Sequence, residues 1–306
     1  MKIKTRRYYI YYAAKISLYI VRLVPRNISL MAADLMGRAA FKFLDKYRDK
    51  TVSNLDEVFS DDHEANLRIA RDVFRNLAKN GADWIKMSAL SKEGVSRLVT
   101  ETEGLENLDG ALAKGKGVII AASHFGNWEL MPIFIKLRGH YGEVIARRLY
   151  FHKYDEFITG LRRRFGVPII YRDESPKKIL KVLKDGGILG ILADQDVDSI
   201  DGVFVDFFGK PAYTPTAPVK LGMATGAPLI PAFMIRKNDN TFKLVVEKPI
   251  TIPGEKGSEE EVKKYTQAWT DVLEKYVRRY PEQWVWLHPR WKTKPGVEAP
   301  ALARGK

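Results

Sequence analysis

The sequence predicts an α/β protein, with a mostly parallel central sheet flanked by helices and N-terminal helices suited to a membrane surface. Three observations carry this. From Gly117 onward, short apolar runs alternate with segments of helical periodicity, the pattern of successive strand–helix units. The stretch GVIIAASHFGNWEL (Gly117 to Leu130) passes from a strand-like run through a turn into a helix. Its polar residues therefore fall at the carboxyl end of a parallel strand, where open α/β sheets form their crevice. The opening MKIKTRRYYIYYAAKISLYIVRLVPRN mixes bases, tyrosines and aliphatics along one helical segment.

The elements follow in order. On the first helix Lys15, Tyr19, Arg22 and Arg26 share a face, while Ile10, Ala13, Ala14, Ile16, Ile20, Leu23 and Val24 fill much of the rest. Lys2, Lys4, Arg6 and Arg7 flank it with charge suited to an anionic leaflet. Nowhere does an apolar run reach roughly 18 residues, so this helix is expected to lie on a membrane rather than span it, with packing on its own domain and a single N-terminal anchor as the competing readings. Pro25 and Asn27 break it and start a second helix running to about Arg48. Helices are expected again over Thr51–Val58 and His63–Met87. Strands are expected at Gly117–Ala122, Gly142–Ala146, Pro168–Tyr171, Gly187–Leu192, Val203–Phe207, Pro228–Ile235 and Phe242–Glu247, the last ones antiparallel. Helices fit between them at Trp128–Arg138, Lys153–Phe165, Pro176–Lys184 and Pro215–Thr225. A final amphipathic helix starts at a capping box of Ser258 and Glu261 and stops before Pro281. The expected organisation is N-terminal membrane-associating helices over 1–48, an α/β domain over 49–294 and a disordered tail over 295–306.

Composition narrows the partners. The 306 residues are 45% hydrophobic and 29% charged, an ordinary globular balance without internal repeats. There is no cysteine, which excludes disulfides, thiolate metal sites and cysteine nucleophiles. The net charge of +14 favours anionic partners: an acidic membrane, an acidic protein or nucleic acid.

Four sets of residues are candidates for chemistry. His124 and Glu129 frame the turn in SHFGNWE. A histidine at the positive end of a helix is expected to stay neutral, and a carboxylate nearby would fix its tautomer. Ser123 is adjacent, but neighbours on an extended strand point to opposite faces. Arg147 ends a strand, and LRRRFG supplies Arg162, Arg163 and Arg164; arginine forks suit phosphates. Asp194, Gln195 and Asp196 in ADQD follow an apolar strand and could bind sugar hydroxyls, orient arginines or cap a turn. No second histidine joins them, so no metal is expected. Phe207 and Phe208 are candidates for an apolar groove, with core packing the competing reading.

HFGNWE resembles the signature of the bacterial lipid A biosynthesis acyltransferases, the late lauroyl and myristoyl transferases within the wider His-x4-Asp/Glu glycerolipid acyltransferase group. Further blocks resemble the same family in the same order: VIARRLYFHKYDEFITGLRRRFG, VLKDGGILGILADQD, GVFVDFFGKPAYTPTAP and EQWVWLHPRWKTKP. The resemblance implies a glycerolipid acyltransferase-like fold at the cytoplasmic face of the inner membrane. It implies transfer of an acyl group from acyl carrier protein, an acidic donor, to a hydroxyl of a lipid A precursor, with no cofactor. His124 would take the hydroxyl proton, Glu129 would hold His124, and no acyl-enzyme would form. Arg162 and Arg164 match the family's Arg-x-Arg pattern. The oxyanion would need donors, for which the amides of the Phe125–Asn127 turn or an arginine are candidates.

Other readings stand beside this one. The acceptor could be another glycolipid or a lysophospholipid, and the donor acyl-CoA. A non-catalytic nucleic-acid binder suits the charge, but the bases are scattered and no nucleic-acid module is present, so nucleic acid is not an expected partner. A serine hydrolase lacks its G-x-S-x-G elbow.

Overall fold

The computed structural model describes residues 6–59, 62–149, 151–197, 199–254 and 257–296. The expected tail therefore lies almost wholly outside the described residues. The N-terminal half is helical: α1 (Arg6–Leu23), α2 (Arg26–Phe43), α3 (Asp45–Val58), α4 (His63–Met87) and α5 (Lys92–Ser96). The break expected at Pro25 is present. The second helix ends at Phe43 rather than near Arg48, with Leu44 in a non-helical conformation (φ −103°, ψ 62°). Helix α4 begins where its sequence says, because Asp62 accepts from the amide of Ala65 at the N-cap. Gly37 lets α2 press onto α4: a Cβ there would meet the backbone of Arg75 at 2.6 Å.

Strands and helices then alternate through β1 (Val99–Glu103), α6 (Leu105–Leu112), β2 (Val118–Ala122), α7 (Leu130–Leu137), β3 (Gly142–Ala146), α8 (His152–Arg164), β4 (Ile169–Tyr171), α9 (Pro176–Lys184) and β5 (Ile188–Leu192). The chain continues through β6 (Gly202–Phe207), β7 (Lys210–Pro215), α10 (Ala217–Thr225), β8 (Leu229–Arg236), β9 (Phe242–Val246) and α11 (Glu259–Arg279). Seven strands form one sheet in the order β1-β9-β8-β2-β5-β3-β4. All neighbours run parallel except β8 and β9.

Strand β1 has the polar sequence VTETE and sits at the sheet edge, mostly exposed, so it carries no apolar run that would mark it. The expected strand at Val203–Phe207 exists, but outside the main sheet: β6 pairs antiparallel with β7 in a separate hairpin. Its KPAYTP partner has two prolines and does not read as a strand.

Apolar layers cover both faces of the sheet. On one face Ile120, Ala122, Ile188 and Leu192 meet α7 and Leu161 of α8. On the other Ile119, Ala121, Leu189 and Ile191 meet α10, α11 and the aromatic C-terminal segment. Strand β2, buried at all five positions, is the centre of both layers.

Candidate active site

The site lies where β2 and β5, paired in parallel from Val118–Ile188 to Ala122–Leu192, release their chains at their carboxyl ends. Beyond β2 the chain makes no immediate helix. Residues 124–129 form an irregular loop pinned from three sides. The Gly126 amide donates to the Gln283 carbonyl at 2.8 Å, the Asn127 amide to the Met234 carbonyl at 2.9 Å, and the Val285 amide to the His124 carbonyl at 3.1 Å. Asn80 of α4 donates to the Gly126 carbonyl at 2.6 Å. Gly126 has φ +54°, and a Cβ on it would sit 1.9 Å from the Met234 carbonyl oxygen, so only glycine fits. Asn127 Oδ1 then accepts from the Leu130 amide at 3.1 Å and opens α7.

This clamp holds the His124 ring against Asp194. Nδ1 lies 2.8 Å from Asp194 Oδ1, and the His124 amide donates to Oδ2 at 2.9 Å. Trp284 Nε1 donates to the same Oδ2 at 2.9 Å. Asp194 is 1% exposed, with three donors on its carboxylate. The expectation that Glu129 orients His124 is thus corrected. Glu129 Oε1 and Oε2 accept from Arg162 Nη2 and Nε at 2.6 and 2.9 Å, a forked pair between the first turn of α7 and helix α8. Spacing in the chain could not reveal this, because Asp194 is seventy residues away and reaches His124 only through the β2–β5 pairing.

The shift on the imidazole runs opposite to expectation. Burial opposes charge on His124, but the Asp194 carboxylate, and to a lesser degree Glu129, favour it, and the balance lifts the imidazole above its usual 6.5. Burial likewise opposes charge on Asp194, yet His124 and the donors around it hold its carboxyl below the ordinary range. Helix α7 starts six residues after His124, too far for its positive end to dominate.

The other candidates divide. Arg147 is exposed at the end of β3. Arg164 turns away and donates to the Leu90 carbonyl at 3.2 Å. Gln195 is half-buried beside Asp194. Asp196 is buried and tied to the C-terminal segment through the amide and hydroxyl of Thr293, each at 2.8 Å. Phe207 and Phe208 fit the core-packing reading. They are buried against Trp284, Trp286 and Trp291, with Phe207 stacked on Trp291 at 5.8 Å.

The apolar space is elsewhere. A narrow apolar pocket, its mouth open to solvent, runs between α7 and the sheet. Its walls are Ile120, Ala122, Met131, Pro132, Ile135, Val144, Ile188 and Leu192. Gly142 and Gly190 also line it. Trp128, Glu129 and Arg162 line it too, and the Trp128 ring lies 5.3 Å from that of His124. The pocket and the His124–Asp194 pair therefore meet at Trp128.

Of the expected oxyanion donors, the turn amides are already engaged. The amides of Phe125, Gly126 and Asn127 are all consumed by Ser123, Gln283 and Met234 carbonyls. The next two amides, of Trp128 and Glu129, carry no hydrogen bond among the described residues. Among those residues no group of three or more His, Cys, Asp or Glu is placed to hold a metal.

The sequence reading placed no site residue in the C-terminal segment. Trp284, Val285 and Thr293 clamp His124, Asp194 and Asp196, and Asn54 of α3 donates to the Trp286 and His288 carbonyls. The aromatic pattern EQWVWLHPRW was the available signal.

Residues 1–293 match the family described as bacterial lipid A biosynthesis acyltransferase. The chain is 29% identical over 224 residues to a phosphatidylinositol mannoside acyltransferase of Mycobacterium tuberculosis, covering 71% of this chain and 69% of that protein. It is 28% identical over 284 residues to the lipid A biosynthesis lauroyltransferase of Escherichia coli, covering 91% and 90%. Identity to the lipid A biosynthesis palmitoleoyltransferase of that organism is 24% over 293 residues, covering 90% and 89%.

Proposed function

The chain belongs to the bacterial lipid A biosynthesis acyltransferase family and is an acyltransferase, and from that premise we propose that it moves a fatty acyl group from a thioester to a hydroxyl of a membrane glycolipid, with His124 as general base. The observation that carries this is the His124–Asp194 pair at the rim of the apolar pocket. With Nδ1–H donated to Asp194, Nε2 is the atom that takes the acceptor's hydroxyl proton. The oxygen attacks the thioester carbonyl, the amides of Trp128 and Glu129 stabilise the oxyanion, and the thiolate leaves with the proton from the imidazolium. The acyl chain occupies the pocket under α7. No side-chain nucleophile is used and no acyl-enzyme forms. Glu129 and Arg162 form the wall between pocket and base, and Arg147 and Gln195 face the acceptor side.

The finer reading takes acyl carrier protein as donor and a lipid A precursor as acceptor. The +14 charge suits the acidic donor, and arginine suits the acceptor's phosphates. A phosphatidylinositol mannoside-type acceptor is the second reading, favoured by the similarity to the mycobacterial enzymes.

The working surface is the cytoplasmic face of the inner membrane, met by α1 and α2, with 1–48 as the membrane-associating part. Among the described residues no helix is long and apolar enough to cross a membrane. Tyr9, Tyr12, Ile16, Tyr19, Ile20 and Leu23 nonetheless form an exposed stripe along α1, and Ile28, Met31, Leu35 and Met36 another along α2.

The test is transfer of labelled acyl groups from carrier-protein and CoA thioesters of several lengths to a lipid A precursor, a phosphatidylinositol mannoside and a lysophospholipid. Transfer to the first with loss in folded His124→Ala is expected. Transfer only to the second would move the acceptor, and transfer that survives His124→Ala would remove the base.

A further inference from the structure

Gly126 poses a physical problem at the centre of the site. Only glycine fits there, at φ +54° and with a Cβ position 1.9 Å from the Met234 carbonyl oxygen. Glycine also leaves the backbone its widest choice of conformations. That freedom falls midway between His124 and Trp128, so the turn holds one geometry only if the polar groups of Gly126 are tied from outside.

They are, and both ties lead to Arg236. The Gly126 amide donates to the Gln283 carbonyl at 2.8 Å. The Gln283 side chain grips the Arg236 backbone twice: Oε1 accepts from its amide and Nε2 donates to its carbonyl, each at 2.9 Å. The Gly126 carbonyl accepts from Asn80 Nδ2 at 2.6 Å, and Asn80 Oδ1 accepts from Arg236 Nη2 at 2.6 Å. A guanidinium has donors and no acceptor, so it fixes the oxygen end of the Asn80 amide and leaves the NH2 end for Gly126. Arg236 is itself buried and paired with Asp83 at 2.8 Å, so the ring of Gly126, Asn80, Arg236 and Gln283 closes on a fixed support. The peptide that Asn80 holds by its carbonyl is held at its amide too, where Asn127 donates to the Met234 carbonyl at 2.9 Å.

We propose that Asn80 is a positioning residue of the acyl-transfer centre: it holds the Gly126–Asn127 peptide in one orientation and thereby aims the Trp128 and Glu129 amides at the oxyanion. This rests on the acyl transfer proposed above. Asn76, one turn earlier on α4, supplies the control. Its Nδ2 donates to the Glu282 carbonyl at 3.0 Å, so it also ties α4 to the segment before Trp284, but among the described residues it makes no hydrogen bond to 124–129.

The experiment is steady-state transfer kinetics on the parent, Asn80→Ala, Asn80→Asp, Asn76→Ala and His124→Ala, with folding checked by circular dichroism and thermal melts. Asn80→Asp keeps an acceptor for Arg236 and loses only the donor to Gly126. Each folded Asn80 variant should lower kcat by about ten- to a hundredfold with KM for the thioester near the parent value. Asn76→Ala should keep the parent kcat even where its melting temperature falls as far. A parent-like kcat in a folded Asn80 variant, a loss carried by KM alone, or an equal kcat loss in Asn76→Ala overturns the proposal. Failure of both Asn80 variants to fold overturns it as well, since the contact would then serve the fold. Transfer that survives His124→Ala removes the general base without touching the contrast between Asn80 and Asn76, which still decides whether the turn is positioned.

Discussion

His124 Nδ1 lies 2.8 Å from Asp194 Oδ1, whereas Glu129, five residues along the chain from His124, gives both its oxygens to Arg162. The two carboxylates therefore have separable roles. Asp194→Asn should lower kcat by about two to four orders of magnitude, because the amide cannot stabilise the imidazolium or fix the same tautomer. Glu129→Gln should act mainly on KM for the donor, through the freed Arg162 at the pocket mouth. Steady-state kinetics on both variants checks this. A larger kcat loss in Glu129→Gln would return the orienting role to Glu129.

The pH dependence follows from the same pair. If His124 is the base proposed above, it must be neutral to act, and its pKa is raised, so kcat/KM should fall as pH drops through a value above 6.5. Asp194→Asn should move that limb to lower pH. Stability runs the other way for the histidine. Its contribution is complete below about 6.5 and is lost as pH rises through the folded value. The contribution of Asp194 is present above 3.8 and is lost as pH falls through its lowered folded value. A pH–rate profile and melts between these limits measure both, and an acid limb below 6.5 would contradict the assignment.

The β2 strand, the SHFGNWE turn and the capping box of α11 were legible because each is written in adjacent residues. Asp194 was legible as a polar residue at a strand end, yet not as the partner of His124, because that contact depends on β2 and β5 being neighbours. Phe207 and Phe208 misled for a related reason. An aromatic pair looks the same in a groove and in a core, and only the C-terminal tryptophans that cover it decide. Strand β1 was invisible because an exposed edge strand needs no apolar residues.

The pocket makes acyl length testable. Gly190 lines it on β5, and a Cβ there would come within 3.2 Å of Val144 Cγ1. Gly190→Val fills the space under α7. Transfer of the longest accepted chain should fall about tenfold or more relative to a chain several carbons shorter. Competition between donors in one reaction gives the ratio directly. An unchanged ratio in a folded variant would mean that the chain binds elsewhere.

Asp83 of α4 is fully buried between two cations, Arg26 of α2 at 2.7 Å and Arg236 of β8 at 2.8 Å. It joins the N-terminal helices to the sheet. Asp83→Ala leaves two guanidinium groups without a counter-charge, and the loss of stability should be about 3–5 kcal/mol. Denaturant unfolding reads it, and a loss under about 1 kcal/mol would show that water or other acceptors compensate.

The exposed faces of α1 and α2 make the last prediction. Lys86 of α4, itself buried, donates its ammonium to the carbonyls of Val21, Arg22 and Val24 at 3.1, 2.9 and 2.5 Å, and Arg22 donates to Ser88 at 2.7 Å. The carboxyl end of α1 is thus fixed to the body, so the outward stripes of α1 and α2 are held in place rather than free to fold inward. Met31 and Leu35 are 68% and 66% exposed, one turn apart on α2. Burying side chains of this size in an acyl region is worth about 1.5–3 kcal/mol each. Met31→Glu with Leu35→Glu should therefore weaken binding to anionic vesicles by about two orders of magnitude. Neither residue lines the pocket or touches His124, so transfer between detergent-dispersed substrates should stay near the parent rate. Vesicle flotation and the dispersed assay separate the two effects. Unchanged flotation would place the membrane contact on another face, and joint loss of both would mean that the α2 face also serves the substrates.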